Sequence, residues 1–205
     1  MMELFSTPQR YRTQEAENAL LGIDERLLRF SAAWSGNYGA LLTGPTGCGK
    51  SLAAATALRR VTLDQPRHWS AWVRSDVYTR IAASREHQGD VARVKSCHVV
   101  VLDELGYERF PEAVLELIGD RYDRNLPTVV TTGLEAEAFL SRYGDATARK
   151  ITSIGGGFAV NCWGDKSVVI PDRKSTAELV SLQNESPWSG HGILGAHEIG
   201  LPGFS

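Results

Sequence analysis

Gly44-Pro45-Thr46-Gly47-Cys48-Gly49-Lys50-Ser51 matches the pattern G-x-x-x-x-G-K-[ST] in full. Such a loop works only between a strand that delivers it and a helix that starts on it. Ala40 to Thr43 is short, apolar and placed just before the glycines, so it reads as a buried strand. Lys50 to Leu58 is rich in strong helix formers. Gly44, Gly47 and Gly49 let the backbone turn tightly and aim N–H groups at phosphate oxygens. The helix N-terminus adds positive dipole character there. Gly44 to Ser51 is therefore the candidate phosphate cradle. Lys50 is expected to reach the β- and γ-phosphates, and the Ser51 hydroxyl to ligate Mg²⁺. Cys48 is expected to offer its backbone N–H rather than thiol chemistry.

A second motif follows. Val99-Val100-Val101-Leu102-Asp103-Glu104 is an apolar run ending in two carboxylates. Asp103 lies 53 positions beyond Lys50 (103 − 50), enough for one helix, one strand and a second crossover. At the end of such a strand Asp103 would hold the metal through its water shell. Glu104 is the candidate to polarise an attacking water. A solvated carboxylate at a strand end is the plainer role for it. Together the two motifs imply binding of a nucleoside triphosphate with Mg²⁺, and its hydrolysis.

The rest of the chain alternates strands and helices. Leu20, Ile23, Leu27, Phe30 and Trp34 recur at helical steps after Thr13 as a cap. Strands are expected at His68 to Val73, Val99 to Asp103, Thr128 to Thr132, Phe158 to Cys162 and Ser167 to Ile170. Helices are expected at Asp76 to His87, from Pro111 with Val114, Leu115, Ile118 and Tyr122 buried, at Glu135 to Tyr143 and at Asp145 to Ile154. Trp69 and Trp72 read as core residues. This alternation implies an α/β fold with a parallel sheet and helices on both faces.

Hydrophobic content of 42% and charged content of 22% are those of an ordinary soluble globular protein. A net charge of −2 excludes a globally basic nucleic-acid binder, but not a local patch. No apolar run is long enough for a membrane span, and the first residues lack the apolar region of a signal peptide. Three cysteines without metal-ligand spacing point to reduced thiols in a cytoplasmic protein. The organisation expected is a lead-in over 1–13, a core over 14–172 and a tail over 173–205 rich in Gly, Ser, Pro and His.

The motifs in order resemble those of the DnaC/IstB-type AAA+ ATPases, which are bacterial helicase loaders and transposition helper proteins. The likeness runs from about Pro8 to Ile170. It rests on Pro8-Gln9-Arg10-Tyr11, the phosphate loop, Val101-Leu102-Asp103-Glu104-Leu105-Gly106, Asp120-Arg121-Tyr122 and Leu126-Pro127-Thr128-Val129-Val130-Thr131-Thr132. The resemblance implies a P-loop NTPase of AAA+ type with a parallel five-stranded sheet and a reduced or absent C-terminal lid, Arg173 being a weak match to a lid arginine. It implies a homo-oligomer, ring or filament, acting on DNA with a helicase, transposase or similar machine. Arg149 stands where the family carries the arginine finger that enters a neighbour's site, with Arg142 the runner-up. The family's sensor strand usually ends in Asn, but Gly133 stands here, leaving Thr132 to contact the γ-phosphate or the attacking water. Family members commonly carry an N-terminal partner-binding domain, for which a core starting near residue 8 leaves no room.

Charge is unevenly placed. Arg59 to Lys95 carries eight basic and four acidic residues, whereas Asp103 to Asp123 carries seven acids and two arginines. In the resembling family, helices before the third strand line a DNA channel. The corresponding stretch is Ser75 to Gln88, with Arg80 and Arg85 as phosphate contacts and Lys95 as a weaker one. A basic groove repeated around an oligomer would track a backbone without reading bases. Two other classes share the phosphate loop. A small-molecule or nucleotide kinase would need an acceptor pocket and an Arg-rich lid, for which no segment stands out. A non-hydrolysing switch would use ATP only to assemble.

Overall fold

Val99, Val100, Val101 and Leu102 are all buried, yet they serve two different cores. Side chains alternate across a strand, so Val99 and Val101 pack on one face of the sheet and Val100 and Leu102 on the other. A strand apolar on both faces must be covered on both, and helices do this here. The computed structural model describes residues 5–13, 22–64, 69–154 and 157–163.

The sheet has five parallel strands: β1 (Ala40–Thr43), β2 (Ser70–Arg74), β3 (Val99–Leu105), β4 (Thr128–Thr132) and β5 (Phe158–Asn161). Their spatial order is β2-β3-β4-β1-β5. On one face lie α1 (Glu25–Ala33) and α2 (Lys50–Asp64), through Leu27, Phe30, Trp34 and an alanine-rich stripe that lets α2 approach closely. On the other lie α3 (Ser75–Ala82), α4 (Gln88–Ser96), α5 (Glu112–Asp123), α6 (Ala136–Tyr143) and α7 (Asp145–Ser153). Among the described residues no helix is long and apolar enough to cross a membrane.

Several expectations need correction. The described first helix starts at Glu25, where the Asp24 carboxylate accepts from Arg26 N at 2.9 Å; residues 14–21 lie outside the described residues. The helix expected over Asp76 to His87 is broken. Ser84 is extended (φ −96°, ψ 128°), a short 3₁₀ turn follows at Arg85–His87, and α4 begins at Gln88. The Gln88 amide bonds the Ala82 and Ser84 carbonyls at 3.2 and 3.0 Å, closing the end of α3. Trp72 is core, but Trp69 is 41% exposed beneath the Arg93 guanidinium. The strand expected at Ser167 to Ile170, Arg173, the lid region and the tail lie outside the described residues.

The buried face of α5 is also rotated from expectation. Tyr122 is exposed, and Val114, Leu117, Ile118 and Arg121 face inward. Arg121 is 0% exposed. Its Nε donates to Thr128 Oγ1 at 3.0 Å, and its Nη atoms donate to carbonyls of Val94, Cys97, His98 and Pro127 at 3.2, 2.8, 3.1 and 2.6 Å. One guanidinium thus joins the C-terminus of α4 and the starts of β3 and β4. Burial pulls its pKa down to about 10, so it stays charged at neutral pH.

Candidate nucleotide site

The C-terminal ends of β1, β3 and β4 open onto a cavity of about 600 Å³, a volume suited to a small ligand. Thr46, Gly47, Gly49, Lys50 and Ser51 form one wall, Glu104, Thr131, Thr132 and Gly133 another, and Arg10, Tyr11 and Ile23 the far end. The loop turns through Gly47 at φ +87° and Gly49 at φ +100°. A Cβ on Gly49 would lie 2.3 Å from Ile23 Cγ2, so glycine is required by contact as well as by dihedral. Lys50 is buried, and its Nζ donates to the Gly44 and Pro45 carbonyls at 2.7 and 2.8 Å. Phosphate oxygens would take the place of those carbonyls.

The acidic pair is tied to the loop by hydroxyls. Ser51 Oγ donates to Asp103 Oδ1 at 2.7 Å, and Thr131 Oγ1 donates to the same oxygen at 2.6 Å. Asp103 Oδ2 is buried with no partner among the described residues. An orphaned carboxylate oxygen beside a serine hydroxyl is a hard oxygen donor set, which fits Mg²⁺. Ser51 and Asp103 are the residues that would hold it. Thr131, which the sequence reading passed over in favour of Thr132, also accepts from Glu104 N at 3.0 Å.

Glu104 adopts φ 58°, a left-handed backbone rare outside glycine. Thr131 holds its N–H, and Ser75 Oγ donates to its carbonyl at 2.7 Å. These two bonds sustain a conformation that costs about 1–3 kcal/mol, and the β3–β4 register shifts there. The Glu104 side chain is half exposed, with Oε2 3.2 Å from Arg74 Nε. Thr132 lines the cavity, but its hydroxyl donates to the Leu105 carbonyl at 2.6 Å and accepts from Leu134 N at 3.1 Å. Its proton is committed, so it offers no free donor to a phosphate. Beside it, a Cβ on Gly133 would meet nothing closer than Tyr107 Oη at 3.9 Å.

Past the acidic pair, Glu108 is buried and accepts from Gly106 N at 2.9 Å, Arg142 Nε at 3.2 Å and the Tyr143 hydroxyl. Burial would raise its pKa, but these donors together lower it. Burial and the Glu108 charge push the Tyr143 hydroxyl up. Arg142 is therefore occupied in holding the α6–α7 elbow against the loop after β3. Arg149, by contrast, is 73% exposed on α7, paired among the described residues with Asp145 one turn back at 3.0 Å, and is not among the described residues that line the cavity.

The candidate DNA contacts separate. Arg80 is 72% exposed on α3 and leans on Asp76 at 3.7 Å, and Arg85 is exposed on the 3₁₀ turn. Lys95 stands apart from them on α4, with Nζ 2.6 Å from Glu116 and 2.7 Å from Asp120. Burial lowers its pKa, and the two carboxylates more than offset this and raise it. Part of the charge asymmetry seen in the sequence is thus an ion-pair seam between α4 and α5.

Residues 22–152 match the family described as IstB-like ATP binding protein. Solved structures share the fold. A putative primosome component from Streptococcus pyogenes serotype M3 is 15% identical, with a TM-score of 0.53 over 81% of this chain and 87% of that one. The DnaC helicase loader is 21% identical, with a TM-score of 0.51 over 73% of this chain and 99% of that one. DnaI is 20% identical, with a TM-score of 0.51 over 69% and 80%. No curated protein matches the chain. With a full phosphate loop, an acidic pair bonded to it across the sheet, and a match over most of the described core, the chain belongs to the IstB-like ATP-binding proteins, AAA+ proteins of the DnaC/IstB type.

Proposed function

We propose that the protein is an oligomeric, DNA-associated ATPase that loads or regulates a helicase, transposase or similar DNA machine. The observation that carries this reading is the hydroxyl chain from Ser51 through Asp103 and Thr131 to Glu104, beside Lys50 in one cavity. Lys50 and the loop N–H groups would hold the triphosphate. Mg²⁺, held by Ser51 and Asp103, would neutralise charge on the β- and γ-phosphate oxygens. Glu104 would leave Arg74, orient a water in line with the γ-phosphate and draw on its proton. Arg149 of a neighbouring copy would stabilise the charge that develops on the γ-phosphate. Its exposure and single weak pairing support a role in trans. Arg80 and Arg85 are the favoured contacts to a DNA backbone, whereas Lys95 would first have to leave two carboxylates.

Steady-state ATPase activity, with and without single- and double-stranded DNA, tests the proposal. A rate per subunit that rises with protein concentration, is stimulated by DNA, and is lost in Arg149→Ala and Glu104→Gln is the expected result. Arg80→Ala with Arg85→Ala should remove the DNA stimulation and spare the basal rate. A second reading, a non-hydrolysing switch, is favoured by the Arg74–Glu104 pair and the committed Thr132 hydroxyl. Magnesium-dependent ATP binding with no hydrolysis under any condition would select it.

A further inference from the structure

The chain folds two cysteines 114 positions apart (162 − 48) onto the same glycine. A Cβ on Gly44 would lie 2.9 Å from Cys48 Sγ and 2.7 Å from Cys162 Cβ, so only the absent side chain lets the two residues meet. The backbone pins this approach, because Cys162 N donates to the Thr43 carbonyl at 2.8 Å, one residue before the loop begins. Both thiols are free and buried. Lys50 Nζ lies 3.6 Å from Cys48 Sγ, a cation beside one sulfur of the pair.

We propose that Cys48 and Cys162 are a redox-active dithiol built into the phosphate loop, which hydrogen peroxide oxidises to a disulfide that switches off nucleotide binding. This rests on the assignment of the loop as the ATP site. The neighbouring Cys162 thiol and the Lys50 ammonium pull the Cys48 pKa down against the effect of burial, while the Cys162 pKa is raised. Cys48 is accordingly the nucleophile and Cys162 the resolving thiol. The Cys48 thiolate attacks the peroxide O–O bond, giving a sulfenic acid and hydroxide, which takes up a proton to become water. The Cys162 sulfur then attacks the sulfenic sulfur. The S–S bond forms, the S–O bond breaks, and the thiol proton leaves with the departing oxygen as a second water. Two thiols are oxidised and one peroxide is reduced. The bond, about 2.05 Å long, would tether the middle of the loop to the end of β5. It would hold Lys50 on the Gly44 and Pro45 carbonyls rather than on phosphate. Cys97 cannot substitute, since its Sγ lies in the opposite core, bonded to the Val94 and Val99 carbonyls.

The test treats the whole purified chain with hydrogen peroxide, maps its disulfide peptides by mass spectrometry, and measures binding of a fluorescent ATP analogue. Expected are a Cys48–Cys162 link, a Kd raised by about tenfold or more, and recovery with dithiothreitol. Cys162→Ser, and Cys162→Ala as a second variant, should bind the analogue like the parent before peroxide and stay largely insensitive to it. Absence of the link, a link that leaves Kd unchanged, or equal sensitivity in both variants would overturn the proposal. A reduced parent that binds no analogue would instead overturn the nucleotide assignment, and the peptide map would still decide the pair.

Discussion

Replacing Arg121 with methionine keeps most of the side-chain volume and removes every donor. The guanidinium is fully buried and has no carboxylate among its hydrogen-bond partners within the described residues. Its charge is instead spread over backbone carbonyls, including the negative end of α4. Its desolvation costs several kcal/mol, and charge-assisted bonds worth about 1.5–3 kcal/mol each offset that. In the variant both terms vanish, but the carbonyls of Val94, Cys97 and Pro127 lose a donor at a site water does not reach. The Val94 carbonyl keeps the Cys97 thiol and the Pro127 carbonyl keeps Val100 N, so the loss at each carbonyl is that of a charge-assisted donor, up to about 1–3 kcal/mol. Allowing for relaxation, the net loss should be about 3–5 kcal/mol, a large share of the roughly 5–15 kcal/mol that holds a domain folded.

Urea unfolding followed by circular dichroism reads this directly. With a slope of about 2 kcal/mol/M, the midpoint should fall by about 1.5–2.5 M in Arg121→Met. Arg121→Lys should lie between, because one ammonium cannot reach carbonyls on both strands and the helix. A midpoint within about 0.5 M of the parent in Arg121→Met, equivalent to about 1 kcal/mol, would refute the reasoning. It would mean that the carbonyls find other partners, and that the guanidinium does no more than cancel its own burial.

Two further predictions concern the site. Thr131→Val is nearly isosteric, but strips a donor from Asp103 Oδ1 and the acceptor from Glu104 N; in the proposed ATPase it should lower ATP turnover by about tenfold or more while sparing the proposed DNA contacts, and an unchanged rate would remove Thr131 from the site. Glu108 has a folded-state pKa below its ordinary value of 4.5, so its contribution to stability is complete above that value and is lost as pH falls through the lower, folded one. Glu108→Gln should therefore flatten the acid limb of the stability–pH curve measured by thermal melts between neutral pH and about pH 3, and a curve parallel to the parent's would count against the Glu108–Arg142–Tyr143 cluster.

The sheet was legible because strand and loop signals here are local. Three apolar residues and a threonine before Gly44, and the valines before Asp103, announce buried strands without reference to the rest of the chain. What could not be read depends on pairing across sequence. Ser84 ends α3 because Gln88 turns back onto it, and no periodicity records that bond. The apolar residues Val114, Leu115, Ile118 and Tyr122 suggest a different inner face for α5, although positions 114, 117, 118 and 121 also have the spacing of a buried stripe. The burial of Arg121 follows from carbonyls on two strands and another helix. Likewise Cys48 and Cys162 have no informative spacing and meet only because β5 lies beside β1.

The strand order also explains why a threonine, and not only the two motifs, is needed at the site. β4 lies between β1 and β3, so the phosphate loop and the acidic pair never sit on adjacent strands. Ser51 crosses that gap directly from the first turn of α2, and the residue at the end of β4 that steadies the acidic pair must be small, because it shares the same Asp103 oxygen with Ser51. A β-branched hydroxyl meets both demands, with strand propensity and one proton to give. On the other side of β3, Arg74 is in register with Asp103 and holds Glu104 through its guanidinium. Glu104 is thus anchored at its backbone by β4 and detained at its carboxylate by β2. The anchor survives any movement of the carboxylate, whereas the ion pair must break before Glu104 can turn to a water. In the ATPase proposed above, control of hydrolysis would fall on Arg74, which Asp76 also holds at 3.1 Å, and on whatever draws it from Glu104.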